Sequence, residues 1–319
     1  MPEKLTILEQ AKRRELGNIA RIAELLEEYN EFTMDAPTFE ANDVYSHLYT
    51  KRVQLPTIEP RSINAGARRS ASLTEQAREQ ITLLEVWAEI DEQLIDHEPS
   101  PGAARSNELV SFIEAGAQEF AKRLLYGNKA DGDARQFDGL TARFDALSLD
   151  NVRSVGGTGG TSVWIIEWGF DTVHLVYPKG APSIGLDEKD LGKQRVTDST
   201  GNPYMAYVNQ MKWEYGLVGK DPRAAQRLCN IDVAGGTNSL DNAAKIRLMV
   251  AAKNQLPRMG RNAVIYAQRD TKTQFDIYAL EKTNGFYMQS NITGGPLTMF
   301  QGMPIRMVEQ LLTTEGTVS

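Results

Sequence analysis

A basic stretch marked by prolines, residues 44–74, constrains the fold of this chain more than any other feature. Pro56 and Pro60 interrupt its β-rich runs, and its five basic side chains are balanced by a single acid, Glu59. The five are Lys51, Arg52, Arg61, Arg68 and Arg69. Because proline cannot donate a ladder hydrogen bond, the runs are predicted to form edge strands or an extended β hairpin outside the core. Such a hairpin is either a solvated loop or an edge that a partner covers.

The next segment, residues 75–98, has the opposite charge. It holds eight acids against Arg78, and Ser72 with Glu75 three residues later forms a capping-box pair. Its apolar residues recur on one broad stripe, which predicts a helix from Ser72 to His97. We expect the two segments to meet between neighbouring copies of the chain, where weak ion pairs of about 0–1 kcal/mol each gain from repetition. The candidate interface residues are Lys51, Arg52, Arg61, Arg68, Arg69, Glu75, Glu79, Glu85 and Glu89.

The remaining segments predict an α+β protein. Helices are expected at Leu5–Glu31 and at Ala104–Tyr126, and the second forms a rod of roughly 35 Å. Short β-rich runs lie between residues 161 and 178, polar turn formers fill 182–202, and longer strands are expected between 204 and 232. The C-terminal part predicts a helix at Ser239–Gln255, the strand AVIYAQ, the helix TKTQFDIYALEK and a final strand in GMPIRMVEQL.

Motifs of catalysis or ligand binding are not found in the sequence. The cluster Gly156–Gly160 lacks the Gly-Lys-Ser/Thr ending of a phosphate loop, and a predicted strand follows it where that loop needs a helix. Cys229 is expected to be a buried, inert thiol and His174 a core residue. No catalytic, cofactor-binding or metal-ligating residue is assigned. The hypothesis that the chain is an ordinary α+β enzyme, which uses carboxylates and His174, nevertheless stays open.

The composition excludes two further classes of protein. No apolar run approaches the roughly 18 residues that a transmembrane helix needs. The net charge of −7 argues against a protein whose main task is to bind nucleic acid through a basic face.

Seven segments, taken in order, resemble a known protein family. They are LTILEQAKR, KRVQLPTIEPRSINAGARRSAS, LLEVWAEIDEQL, AGAQEFAKRLLYGN with FDGLTARF, TSVWIIEWGFDTVHLVYPKG, YMAYVNQMKWEYGLVGKDPRAAQRLCNID and FQGMPIRMVEQLLTTEG. No single segment is diagnostic, but the ordered set spans nearly the whole chain. The set is similar to the major capsid proteins of short-tailed, double-stranded DNA phages with the Hong Kong 97-type fold, in the branch with permuted strand order.

The resemblance implies a division of the chain and a function. Residues 1–43 correspond to an N-terminal arm, 44–75 to the extension loop, 76–231 to a peripheral domain with a spine helix at 104–126, and 232–319 to an axial domain. The implied function is a non-enzymatic shell subunit. It self-assembles into pentamers and hexamers of an icosahedral head that encloses double-stranded DNA.

The resemblance also implies partners and a location. The partners are other copies of the chain, a scaffolding protein during assembly and a portal protein at one vertex. The resemblance leaves open whether a decoration protein also binds outside the shell. DNA is enclosed without sequence-specific binding, and neither a cofactor nor a membrane is implied. The expected location is the virion, after assembly in the host cytoplasm. The alternative is an encapsulin-like shell of a cellular compartment, which holds cargo enzymes instead of DNA.

Overall fold

The computed structural model describes residues 31–66, 68–97, 101–131, 136–181, 187–233, 238–240, 243–258, 260–280, 287–292 and 295–319. The helix predicted at Leu5–Glu31 lies outside the described residues, apart from Glu31. The helices are α1 (Glu31–Asp35), α2 (Glu92–Asp96), α3 (Pro101–Tyr126), α4 (Leu140–Arg143), α5 (Ala243–Gln255) and α6 (Arg269–Leu280). The strands are β1 (Thr38–Glu40), β2 (Ser46–Gln54), β3 (Leu73–Gln80), β4 (Thr82–Asp91), β5 (Val152–Ser154), β6 (Thr161–Glu167), β7 (Val173–Tyr177), β8 (Asp187–Thr197), β9 (Pro203–Gly219), β10 (Ala225–Ile231), β11 (Ala263–Ala267), β12 (Tyr287–Ile292), β13 (Gly295–Phe300) and β14 (Met303–Met307).

The basic stretch forms the extended hairpin that the sequence predicts. β2 and β3 pair in antiparallel fashion from Ser46 opposite Gln80 to Gln54 opposite Leu73. Residues 55–72 connect the two strands without regular secondary structure of their own among the described positions. The hairpin is therefore confirmed, and the described residues of its long connection are exposed.

The helix predicted from Ser72 to His97 is wrong. This segment forms β3, β4 and the short helix α2, and β4 pairs with β9 from Thr82 opposite Tyr215 to Asp91 opposite Ala206. Its Glu, Gln, Ala and Leu residues favour a helix locally. The burial pattern along β4 nevertheless alternates with the two-residue period of a strand. Pairing with β9, which is distant in the sequence, overrides the local preference.

The long helix α3 covers one face of the first sheet. Within the described residues this sheet has the order β1-β7-β9-β4, and β8 joins it through β9. Phe120 of α3 stacks on Trp213 of β9, with ring centroids 4.3 Å apart and planes 7° apart. Aromatic stacking of this kind adds about 0.5–1.5 kcal/mol to the gain from burial. The other face of β4 carries no helix among the described residues.

The second sheet joins the middle of the chain to its C-terminal part. In the described residues its order is β12-β13-β14-β11-β6-β10-β5. A buried cluster links α5 and α6 to this sheet through Ile246, Met249, Phe275, Val163, Ile165, Leu228 and Ile305. The sheet takes strands from both sides of residue 231, where the sequence places the boundary between the peripheral and axial domains. That division of the chain stays a prediction.

Three other predicted segments differ in detail from the structure. The rod helix begins at Pro101 instead of Ala104, because proline is tolerated at the first helical position, where its missing N–H costs nothing. Residues 182–202, which were predicted to be turns, contain β8. The side chains of β8 are mostly exposed and polar, so its sequence shows no alternation of apolar and polar residues that would predict a strand. The helix expected from Ser239 begins at Ala243. The α+β class and the α/β order of the C-terminal part are confirmed.

Candidate functional site

The root of the hairpin, where β2 begins and β3 ends, is bound to the rest of the subunit through a buried carboxylate. Glu79 is 8% exposed, and Arg143 donates hydrogen bonds to both of its oxygens, at 2.8 and 2.9 Å. The Tyr49 hydroxyl donates to the same carboxylate at 3.2 Å, and burial together with the Glu79 charge raises the pKa of Tyr49 to about 12. Glu79 was an interface candidate from its sequence, but its carboxylate is engaged within its own subunit. Its partner Arg143 was not found from the sequence.

Farther along the hairpin, two of the predicted interface charges pair with each other. Lys51 Nζ lies 3.2 Å from Glu75 Oε2, and the two side chains are 39% and 60% exposed. Arg52 lies on β2 opposite Thr74 in the ladder. An ion pair as exposed as Lys51–Glu75 contributes about 0–1 kcal/mol. The structure therefore brings together within one hairpin two charges that the sequence assigned to different copies.

The hairpin tip, residues 55–72, carries both apolar and basic side chains. Ile58 and Ile63 are each 91% exposed. Arg68 lies 4.0 Å from Glu59 at the tip itself. Arg61 and Arg69 are exposed as well, and neither has an ion-pair partner among the described residues. The tip is thus a basic surface with isolated large apolar side chains.

A second exposed surface, the β4 outer face, consists of Leu83, Glu85, Trp87 and Glu89. Leu83 is 49% exposed and Trp87 is 48% exposed. Glu85 Oε1 lies 3.8 Å from Lys212 Nζ on β9, and Glu89 is exposed farther along the strand. Glu85 and Glu89 were predicted as site residues, whereas Leu83 and Trp87 were missed. Residues 83, 85, 87 and 89 are every second residue of β4, and this two-residue period would have identified Leu83 and Trp87 as exposed. The helix predicted for this segment concealed the period.

His174, the residue that an enzyme hypothesis requires, is fully buried. Its ring nitrogens lack hydrogen-bond partners of normal geometry among the described residues. Burial, then the neighbouring Lys220 and His47, lower its pKa to about 3, while the nearby Gly169 backbone acts in the opposite direction. A general base works best with a pKa near the operating pH. The buried, stacked position of His174 against Phe170 therefore fits the core role that the sequence predicts.

Other candidate chemistry was also located in the fold. Cys229 is buried, and burial raises the pKa of its thiol, as is typical of a structural cysteine. In the part of the chain that the structure describes, no three His, Cys, Asp or Glu residues converge on a metal position. None of the helices described is both long enough and apolar enough to cross a membrane.

A family model described as major capsid protein GP7 matches residues 14–319. The chain belongs to this family. This capsid protein is therefore the shell subunit of a phage virion, as its sequence predicts, and the encapsulin-like alternative is not favoured. Its role in the virion is structural. A comparison with curated proteins finds no match.

Solved phage structures show the fold of this capsid protein. A chain of bacteriophage Epsilon15 is 24% identical, with 89% of this chain and 88% of that chain covered and a TM-score of 0.63. A chain of the bacteriophage JBD30 capsid is 12% identical, with 88% and 90% covered and a TM-score of 0.51. The Hong Kong 97-type fold is thereby confirmed. Origin from a short-tailed phage and membership of the permuted branch stay predictions.

Proposed function

We propose that the hairpin tip of one capsid subunit binds the β4 outer face of a neighbouring subunit, and that this contact holds the shell together. The observation that carries the proposal is the 91% exposure of both Ile58 and Ile63. Isoleucine is among the residues most often fully buried. Two of them at the end of a protruding hairpin favour a surface that another copy covers.

The two surfaces complement each other in apolar character. The tip offers Ile58 and Ile63, and the β4 outer face offers Leu83 and Trp87, which are about half exposed. Full burial of an isoleucine side chain contributes about 1.5–3 kcal/mol. Tryptophan is also enriched among the residues that dominate binding energies. The apolar contact therefore supplies most of the affinity.

The charges of the two surfaces complement each other as well. Arg61 and Arg69 are exposed on the tip, whereas Glu85 and Glu89 are exposed on the β4 outer face. Each exposed pair contributes only about 0–1 kcal/mol, so the charges mainly set the register of the contact and its dependence on salt. Every subunit donates one tip and accepts another, and this repetition raises the total strength.

Family membership supports a wider assignment within the same proposal. The subunits form pentamers and hexamers of an icosahedral head that encloses double-stranded DNA and has no catalytic step of its own. A scaffolding protein guides assembly in the host cytoplasm, a portal protein occupies one vertex, and a decoration protein binds outside. The net charge of −7 fits a lining that does not hold packaged DNA tightly.

A charge exchange tests the contact. The double variant Arg61→Glu/Arg69→Glu is expected to assemble poorly at low salt, as measured by light scattering and negative-stain microscopy. The variant Glu85→Lys/Glu89→Lys is expected to show the same defect. In a mixture of the two variants, each tip is complementary in charge to the β4 outer face of the other variant, so the mixture is expected to form more shells than either variant alone. Arg258→Glu, which reverses a 59% exposed cation elsewhere, serves as the control.

The apolar half of the contact needs its own variants. Ile58→Ser/Ile63→Ser changes side chains that make little contact within the subunit, so it is expected to block assembly without lowering the free energy of unfolding. Trp87→Ala is expected to block assembly as well, from the opposite surface. Normal shells from all of these variants would show that the tip and the β4 outer face do not meet.

A further inference from the structure

An apolar groove of about 280 Å³ follows β4, which lies at an edge of the first sheet in the described residues. The groove lies between β4 and the long helix α3. Its apolar lining consists of Leu84, Val86, Phe112, Ala115, Met211 and Trp213. Glu85 lines the groove as well, although its side chain belongs to the β4 outer face. The groove and the β4 outer face therefore meet at the edge of β4 that no described strand pairs with.

This edge of β4 differs from the edge formed by β8 in the same sheet. Natural proteins commonly protect edge strands with bulges and charged side chains. β8 has both features, since its ladder with β9 shifts between Asp190 and Gly192 and most of its exposed side chains are charged. β4 pairs with β9 over its whole length without such a shift, and it exposes Leu83 and Trp87. β4 is therefore the edge that favours pairing with a further strand.

We propose that residues 55–61 in the hairpin tip of a neighbouring subunit pair with this edge as an added strand and place Ile58 in the groove. This inference rests on the proposed contact between the tip and the β4 outer face, and it adds the mode of binding. An extended segment that joins a sheet edge gains affinity from backbone hydrogen bonds, and pockets receive its alternate side chains. Ile58 is 91% exposed in its own subunit, so its side chain is available to the neighbour.

The sequence of residues 55–61, LPTIEPR, has the alternation that such a strand requires. Successive side chains of a strand point to opposite faces of the sheet. Pro56, Ile58 and Pro60 therefore share one face, which is entirely apolar and matches the lining of the groove. Arg61 lies on the other face, which then adjoins the β4 outer face and its two glutamates. One added strand thus satisfies both the apolar groove and the acidic surface.

The two prolines of this segment are spaced as an edge strand allows. In a strand, the N–H and carbonyl groups of one residue point to one side, and those of the next residue point to the other side. Pro56 and Pro60 are four residues apart, so both face away from β4, where a missing N–H costs no ladder bond. Thr57, Glu59 and Arg61 then direct their N–H groups towards β4. The prolines also prevent a further strand from joining the new edge.

Engineered cysteine pairs in assembled shells test the face on which residue 58 lies. Ile58→Cys/Ala115→Cys joins the tip to the helix side of the groove, and the matched control Thr57→Cys/Ala115→Cys places the thiol on the opposite face of the segment. Cysteine keeps a small apolar side chain at position 58, so shells are expected to form. A disulfide requires Cβ atoms about 4 Å apart, so the first pair is expected to link two chains about tenfold faster than the control. Non-reducing electrophoresis measures both rates, and equal rates would overturn the proposal.

A proline substitution tests the backbone pairing. Thr57→Pro removes an N–H group that faces β4, so it is expected to raise the protein concentration required for assembly about tenfold. Thr57→Ala keeps this N–H group, and its required concentration is expected to equal that of the unmodified protein. Light scattering over a concentration series measures both variants. Equal behaviour of Thr57→Pro and Thr57→Ala would contradict an added strand.

A third cysteine pair separates this inference from the contact on which it rests. Ile63→Cys/Leu83→Cys reports whether the tip lies on the β4 outer face, whatever its backbone pairing. If this pair links two chains and Ile58→Cys/Ala115→Cys does not, the tip binds the outer face without entering the groove, and the added strand is refuted. If neither pair links two chains, the contact itself is refuted as well.

Discussion

Arg227 and Glu315 form an ion pair that is almost fully buried, with Arg227 Nη2 2.9 Å from Glu315 Oε2 and side chains 5% and 7% exposed. Arg227 lies on β10 and also donates to the Phe144 carbonyl at 2.7 Å. Glu315 lies near the end of the described chain and accepts hydrogen bonds from Tyr126 of α3 and Ser162 of β6. This one carboxylate therefore joins the C-terminal segment, the long helix and the central strands of the second sheet.

Removal of this carboxylate is expected to be costly. Glu315→Ala leaves the Arg227 guanidinium buried without its counter-charge, which typically lowers the free energy of unfolding by about 3–5 kcal/mol. Urea denaturation followed by circular dichroism measures the change. Glu309→Ala is the control, because Glu309 pairs with Arg269 and these side chains are 55% and 64% exposed. The control is expected to change stability by no more than about 1 kcal/mol. Equal effects of the two variants would contradict this account of the buried pair.

The glycine-rich turn before β6 owes its composition to close backbone packing. Gly160 has a φ of +105°, and a Cβ atom there would overlap the carbonyl oxygen of Ile231. Its N–H and carbonyl also pair with the backbone of Glu315. We expect Gly160→Ala to lower the free energy of unfolding by roughly 2–4 kcal/mol. Gly316→Ala is the control, since a Cβ at that position meets nothing within 4 Å. A neutral Gly160→Ala in the same denaturation experiment would show that the turn relaxes easily.

The hairpin root gives a prediction about motion. Glu79→Ala removes the acceptor of both Arg143 hydrogen bonds, and we expect it to loosen the hairpin from the body by about 2–3 kcal/mol. Amide hydrogen exchange in β2 and β3 should then become about 30-fold faster or more. The control is Glu75→Ala on the same strand, where the partner Lys51 and the acid are both exposed. If exchange in the two variants is the same, Glu79 does not anchor the hairpin.

The segment Leu73–Asp91 shows why part of the fold could not be read from the sequence. Its helix-forming residues and its spacing of Leu73, Ala77, Ile81, Leu84 and Ala88 fit a helix as well as a strand. The deciding interaction, ten backbone pairs between β4 and β9, depends on a partner that lies far away in the chain. Local propensity is a weak prior, and here tertiary pairing prevails.

The mistaken prediction of a helix from Ser72 to His97 also determined which site residues could be found from the sequence. The charges that predict an interaction surface are visible in any secondary structure, so Glu85 and Glu89 were identified without knowledge of the strand. Trp87 and Leu83 became visible only once the period was known to be two residues. Glu79 and Arg143 meet through the packing of α4 beside the hairpin root, and no local pattern announces such a contact.

Buried His174 makes stability depend on pH in a defined direction. Its pKa is about 3 in the folded protein against 6.5 for an unperturbed histidine, so the unfolded chain binds the extra proton between these values. Stability attributable to this residue is complete above pH 6.5 and decreases as the pH falls towards 3, by about 1.4 kcal/mol per pH unit. His174→Phe removes the titrating group and keeps a ring beside Phe39 and Phe170. As the pH is lowered from 7.5 to 5, the urea midpoint of the variant should therefore rise relative to that of the unmodified protein. Carboxylates titrate equally in both proteins, so they do not contribute to this difference. A difference that does not change with pH would show that His174 accepts a proton without cost in the folded protein.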